Sequence, residues 1–194
     1  MRKTEEAYRA GKRRAIGVST FYPGRLIDLC NFVEVAHAVN QVETHAFRQQ
    51  RSAHETMVKY GVQHESWGPF AEGRKDFFSN PALCETGAKY GKSSAQTTLR
   101  FLLQTSVVVM AKTVRRERME ENLNVFDFSL SDEDMRSISV LDEGGEYIFL
   151  PLRCRRGRVL DRAGIIKAEE EAYRYDDCRG KQAVRRQRRH SALL

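Results

Sequence analysis

Short apolar runs separated by amphipathic stretches set the rhythm of this chain. Four runs carry the β-branched character of buried strands: residues 14–18, 39–43, 62–67 and 107–111. Between them lie helical patterns with recognisable ends. Gly11 closes the last turns of a first helix over 4–11, and Pro23 suits the first turn of one running to about residue 32. A helix over 49–60 stops at Gly61. Asn80 and Pro81 start another that ends near Gly91, and Ser93 or Ser94 caps the next, whose apolar face is Leu99, Leu102 and Leu103. A short polar helix over 115–123 follows the last strand, and Ser131, with Asp134 three residues on, opens a final helix reaching Gly144. Residues 68–79, rich in glycine and charge, form the longest irregular piece. Strands alternating with helices predict right-handed βα units and a parallel sheet, an α/β fold.

Chemistry concentrates where the fourth strand gives way to its helix, VVVMAKTVRRERMEEN at 107–122. Lys112 and Thr113 fall at the strand's C-terminal end, the side on which open parallel sheets bind ligands. Arg118, Glu121 and Asn122 are spaced i, i+3, i+4 and share one helix face. A cation and a hydroxyl beside a guanidinium and an amide suit a phosphate next to a planar ring, since Arg pairs with the one and stacks on the other. On spacing alone, a solvated charged helix accounts for the same residues.

Charge and cysteines narrow the classes. Residues 1–150 hold 20 Lys+Arg and 20 Asp+Glu, whereas 151–194 hold 13 and 6, so the whole formal excess of +7 lies in the tail. The body offers no electrostatic footprint for nucleic acid or an anionic membrane. Cys30, Cys84, Cys154 and Cys178 form no CxxC pair, residues 1–10 show no signal-peptide pattern, and no apolar run approaches membrane-spanning length. Reduced thiols in a cytoplasmic protein are expected. The five histidines show no metal-ligand spacing, so no metal site is expected.

Four segments in a fixed order then carry a family likeness: RAIGVSTFYP (14–23), VNQVETH (39–45), ESWGPFAEG (65–73) and VVVMAKTVRRERMEENLNVFDFSLSDEDM (107–135). With them the chain resembles the aldo-keto reductases from about residue 4 to 143, most closely bacterial members of the 2,5-diketogluconate reductase type. The resemblance implies NADP(H)-dependent reduction of aldehydes and ketones on a (β/α)8 TIM barrel. A complete barrel usually takes about 250 residues, so the four strands are expected to correspond to barrel strands five to eight: a partial barrel followed by an irregular basic tail. The implied cofactor residues are Ser19 and Gln41 for the nicotinamide carboxamide, with Thr20 where the family has asparagine. Trp67 would lie against the nicotinamide face. Gly68 and Phe70, flanking Pro69, would approach the pyrophosphate, with Glu72 in the segment folding over it. Lys112, Thr113 and Arg118 would clamp the 2′-phosphate; Glu121 and Asn122 would contact adenine.

The same resemblance places the family's catalytic tyrosine, lysine, aspartate and histidine in the other half of the barrel, and none of the seven tyrosines here matches a catalytic position. No catalytic residue is therefore expected in this chain. Two domains are expected, a cofactor-clamp half over 1–150 and an Arg-rich tail over 151–194 that does not fold. The reading is an oxidoreductase represented by its NADPH-binding half and not active alone. The alternative is a non-catalytic NADPH-binding or half-barrel-complementing module. Four strands leave two open sheet edges, and Ile16, Val39, Val42 and Val108 are expected to face water, a second copy or an N-terminal half-barrel partner.

Overall fold

The computed structural model describes residues 2–144. The proposed tail, its Arg-rich stretches and the domain boundary at 150 lie outside the described residues.

The order of elements is α1 (Arg2–Arg9), β1 (Gly17–Ser19), α2 (Pro23–Phe32), β2 (Val39–Glu43), α3 (Arg51–Lys59), β3 (Gln63–Trp67), two short 3-10 turns (Ala71–Gly73 and Phe77–Ser79), α4 (Pro81–Lys89), α5 (Ser94–Gln104), β4 (Val108–Val109), α6 (Arg116–Leu123) and α7 (Asp132–Ser139). The strands form one parallel sheet in the order β1-β2-β3-β4. Register places Ser19 beside Gln41, Gln41 beside Glu65, and Glu43 beside Trp67.

Helix ends follow the sequence signals closely. The Asn80 side chain accepts from the Leu83 amide at the start of α4, and Ser93 forms a reciprocal capping box with Gln96 at the start of α5. Ser131 caps α7. The strands deviate more. The first begins at Gly17 rather than residue 14; Ile16, just before it, is 6% exposed and its carbonyl accepts the Ala38 amide. The fourth is two residues long, although the Met110 amide still bonds the Ser66 carbonyl. The last helix ends at Ser139, short of Gly144.

All helices that pack on the sheet cover the same face. Val42 joins Leu26, Leu29, Ala53, Met57 and Val62 in a cluster between β2, α2 and α3, with Val18 against it. A larger cluster unites Phe47, Phe77, Phe78, Leu83, Phe101, Leu102, Val107 and Ile138, with Val109 against it. Of the four side chains expected to face the open side, Ile16 and Val42 are buried instead, Val42 beneath α2 and α3, since strand side chains alternate faces. Val108 is 43% exposed and Val39 half-buried, as expected. Cys30 is a free thiol.

Candidate functional site

The C-terminal ends of the strands present the candidate residues in spatial order: Ser19 on β1, Gln41 on β2, Trp67 on β3, and Lys112 after β4. A parallel sheet produces this line because every strand ends on the same side.

At one end of the line the polar groups brace one another. Ser19 Oγ donates to the Gln41 carbonyl at 3.1 Å and lies 3.4 Å from Thr20 Oγ1. Thr20 takes a left-handed backbone, φ +60°, with its amide on the same Gln41 carbonyl. The Gln41 side-chain amide donates to the Glu65 carboxylate. Glu65 thus fixes which way Gln41 faces, a role the sequence did not disclose; its signal is the parity that sets 41 and 65 side by side.

At the other end a cleft of about 460 Å³ opens between the loop after β3 and the β4–α6 connection. Gly68 and Phe70 line one wall, and Lys112, Thr113, Arg118 and Asn122 line the other. Pro69 and Glu72 border the cleft, and so does Arg115, a third cation that the sequence reading passed over. Gly68, at φ +62°, makes the turn that brings the loop round. Four non-glycine loop residues also hold left-handed backbone: Ala71, Glu72, Lys75 and Asp76. Phe70, Phe77 and Phe78 stack under the loop at 5.2–6.0 Å between ring centres, and Lys75 pairs with Glu143.

Helix α6 buries none of its own residues, so polar anchors must seat it. Ser93 Oγ donates to Glu121 Oε1 at 2.6 Å, and the Gln96 amide donates to the carbonyls of Glu121 and Asn124. Glu121 faces α5 and lines a different depression from the cleft. Its bond to Ser93 helps to seat the helix. Thr113 Oγ1 accepts the Arg115 amide, ordering the turn into α6. Asn122 differs: its Oδ1 is buried and has no hydrogen-bond partner among the described residues. A buried acceptor left bare costs about 1–3 kcal/mol, and this one borders a cleft lined by three cations. The donor set therefore fits a phosphorylated ligand that also offers an N–H.

No described tyrosine lines the cleft. Tyr90 donates to Asp134 Oδ2 at 2.6 Å, deep between α4 and α7. Lys89 and then Tyr90, both bonded to the Asp134 carboxylate, pull its pKa down to about 2. Among the described residues no group of three or more His, Cys, Asp or Glu side chains could hold a metal ion, and no helix is long and apolar enough to cross a membrane.

Comparison with known proteins agrees with this arrangement. The model of the aldo/keto reductase family matches residues 1–143. The glyoxal reductase of Bacillus subtilis is 39% identical over 142 residues, 73% of this chain and 51% of the relative. Methylglyoxal reductase DkgA of Escherichia coli is 35% identical over 139 residues, 72% and 50%. The chain thus spans about half the length of these relatives. Among solved structures, an aldo-keto reductase from a Medee basin deep-sea metagenome library superposes with a TM-score of 0.74 at 36% identity, covering 77% of this chain and 55% of that one. The silkworm (Bombyx mori) aldo-keto reductase AKR2E5, solved in complex with NADPH, gives 0.71 at 30%, covering 75% and 47%. Four ordered motifs, a parallel sheet that superposes on these enzymes and a family model spanning 1–143 lead to one statement: the chain belongs to the aldo/keto reductase family.

Proposed function

We propose that residues 1–143 are the cofactor-gripping half of an NADPH-dependent aldehyde and ketone reductase, corresponding to strands five to eight of its barrel, and that this half does not turn over substrate alone. The observation that carries the proposal is the cleft, where Lys112, Arg115 and Arg118 meet the bare Oδ1 of Asn122. The cations suit the 2′-phosphate that distinguishes NADPH from NADH, and Oδ1 suits the amino group of adenine. Ser19, Thr20, Gln41 and Trp67, further along the strand ends, would seat the nicotinamide. When bound, NADPH supplies the hydride delivered to a carbonyl carbon.

What the chain's own residues do is bind and orient. The large flat side chain of Trp67 shields one ring face, and Gln41, steered by Glu65, fixes the carboxamide. Carbonyl reduction also needs a proton for the developing alkoxide. General acid help is worth about 10²–10⁴-fold, and no described tyrosine stands at the cleft to give it. That favours binding without turnover. Relatives named for glyoxal and methylglyoxal make small aldehydes the substrate class to test.

Trp67 is the single tryptophan and therefore a built-in probe. NADPH is expected to quench its fluorescence saturably. Arg118→Ala should weaken binding about 10- to 100-fold, the worth of one charge-assisted phosphate contact. An unchanged signal at millimolar NADPH would remove the cofactor reading. Steady NADPH consumption with methylglyoxal, abolished by Trp67→Ala, would instead overturn the claim that this half is inactive alone.

A further inference from the structure

Between α3, α5 and α7 lies a second cavity, of about 380 Å³, that shares no lining residue with the cleft. Its size falls within the range of small-molecule sites. Phe101 and Leu102 on α5, and Val107 just ahead of β4, are buried to 4% exposure or less, and half-buried Met135 on α7 extends this apolar lining. The chain itself ties the walls together. The Gln49 amide donates to the Ile138 carbonyl at 3.0 Å, while Arg51 donates to Ser139 Oγ at 3.0 Å and pairs with Asp142 at 3.4 Å. Walls fixed in advance lower the ordering cost of binding.

Most polar side chains of this lining are engaged within the chain. Gln49 also donates to the Ala46 carbonyl and accepts from Arg51, and Thr105 Oγ1 donates to the Leu102 carbonyl. Glu55 and Arg136 differ. Both are exposed, and among the described residues neither side chain makes a hydrogen bond or an ion pair. Arg51 at the start of α3 meets Ser139 at the end of α7. Glu55 is one turn on from the first and Arg136 one turn back from the second, so opposite charges border the cavity from two helices. His54, also in the lining, adds an acceptor. Thr44 Oγ1 donates to the Val42 carbonyl, so His64 Nε2–H donates to Thr44 and His64 Nδ1 accepts from His54 Nδ1–H. That leaves His54 Nε2 with its lone pair.

We propose that this cavity binds a free amino acid with an apolar side chain, its carboxylate on Arg136, its ammonium on Glu55 and His54, and its side chain against Phe101, Leu102 and Val107. Two unpaired charges of opposite sign beside an apolar hollow call for a ligand carrying both charges and an apolar body. An apolar carboxylate would meet Arg136 but set an anion against Glu55, and an apolar amine would leave Arg136 unmet. A peptide end offers one of the two charges, not both. The site stands apart from the cleft and does not rest on the NADPH reading.

The test uses the full chain. Isothermal titration calorimetry with L-phenylalanine and with L-leucine should show saturable binding. N-acetyl-L-phenylalanine, which lacks the ammonium, and L-phenylalaninamide, which lacks the carboxylate, should each bind about tenfold or more weakly. Arg136→Gln and Glu55→Gln should each weaken L-phenylalanine about five- to tenfold, and as exposed substitutions should leave thermal unfolding of the free chain unchanged. Glu55→Gln should also erase the penalty of N-acetylation, and Arg136→Gln that of amidation, a pairing that general loosening of the fold would not produce. No saturation at millimolar ligand overturns the inference. So does equal affinity for the acetylated ligand, or binding indifferent to both substitutions. If a variant fails to fold, the ranking of the three phenylalanine ligands on the unsubstituted chain decides. Trp67 fluorescence with NADPH reads the cleft separately, so failure of one reading is distinguishable from failure of the other.

Discussion

His64 shows how much one buried side chain can impose. It is 1% exposed, its Nε2 lies 2.7 Å from Thr44 Oγ1, and its Nδ1 lies 3.0 Å from Nδ1 of His54. Thr44 Oγ1 donates to the Val42 carbonyl, so His64 Nε2–H donates to Thr44, and His54 supplies the proton between the rings. Burial first, then the neighbouring His54, push the His64 pKa down to about 4. The unfolded chain, with a His pKa near 6.5, takes up the proton first. Stability is therefore full above about pH 6.5 and falls as pH drops toward 4, a loss of about 3 kcal/mol over that window. Urea midpoints between pH 7 and 4.5 should show it, and His64→Gln should flatten the slope while lowering stability throughout. A midpoint independent of pH would contradict the buried neutral ring. No periodicity marked this pair, because residues 54 and 64 meet only once α3 folds back on β3.

Among elements, the α4–α5 corner is the most tightly specified. Gly87 lies inside α4, where a Cβ would sit 2.5 Å from the Lys92 carbonyl oxygen and 2.8 Å from Thr97 Oγ1. In an exposed helix Gly→Ala gains about 1 kcal/mol. Here Gly87→Ala should cost about 1–3 kcal/mol instead, from overpacking against backbone, and thermal unfolding would read the sign directly. The sequence made helices easier to place than strands for a related reason. Caps such as Asn80, Ser93 and Ser131 act through residues three positions away, so they are visible locally. The ends of β1 and β4 depend on neighbours far along the chain: Gly17 pairs with Val39, and Val108 with Glu65. The anchoring of Glu121 was hidden on similar grounds. Its spacing with Arg118 and Asn122 marks a shared face, but only Ser93 and Gln96, beyond the strand, reveal what that face touches.

Across the whole molecule, ligand and fold are linked. The cleft joins the loop after β3 to α6, an element with no fully buried residue. A ligand spanning both should stabilise the folded form by mass action, about 2.7 kcal/mol at 100 times its Kd. Differential scanning fluorimetry should therefore show Tm rising by several degrees with NADPH and little change with NADH, which lacks the phosphate for Lys112, Arg115 and Arg118. Equal shifts for both would mean that the cations are solvent-facing surface. The sequence made the parallel sheet and the cation cluster legible because motif order and spacing carry both. It could not show the bare Oδ1 of Asn122 or the steering of Gln41 by Glu65, which exist only after distant segments meet.

The loop over the cleft has a kinetic consequence. Ala71, Glu72, Lys75 and Asp76 each hold a backbone shape that costs about 1 kcal/mol or more outside glycine. The phenylalanine stack beneath and the Lys75–Glu143 pair keep it in place. If the segment opens as a unit, exit from the cleft would follow the opening rate of the loop, and Lys75→Ala should then speed NADPH release in stopped-flow displacement while leaving the association rate nearly unchanged.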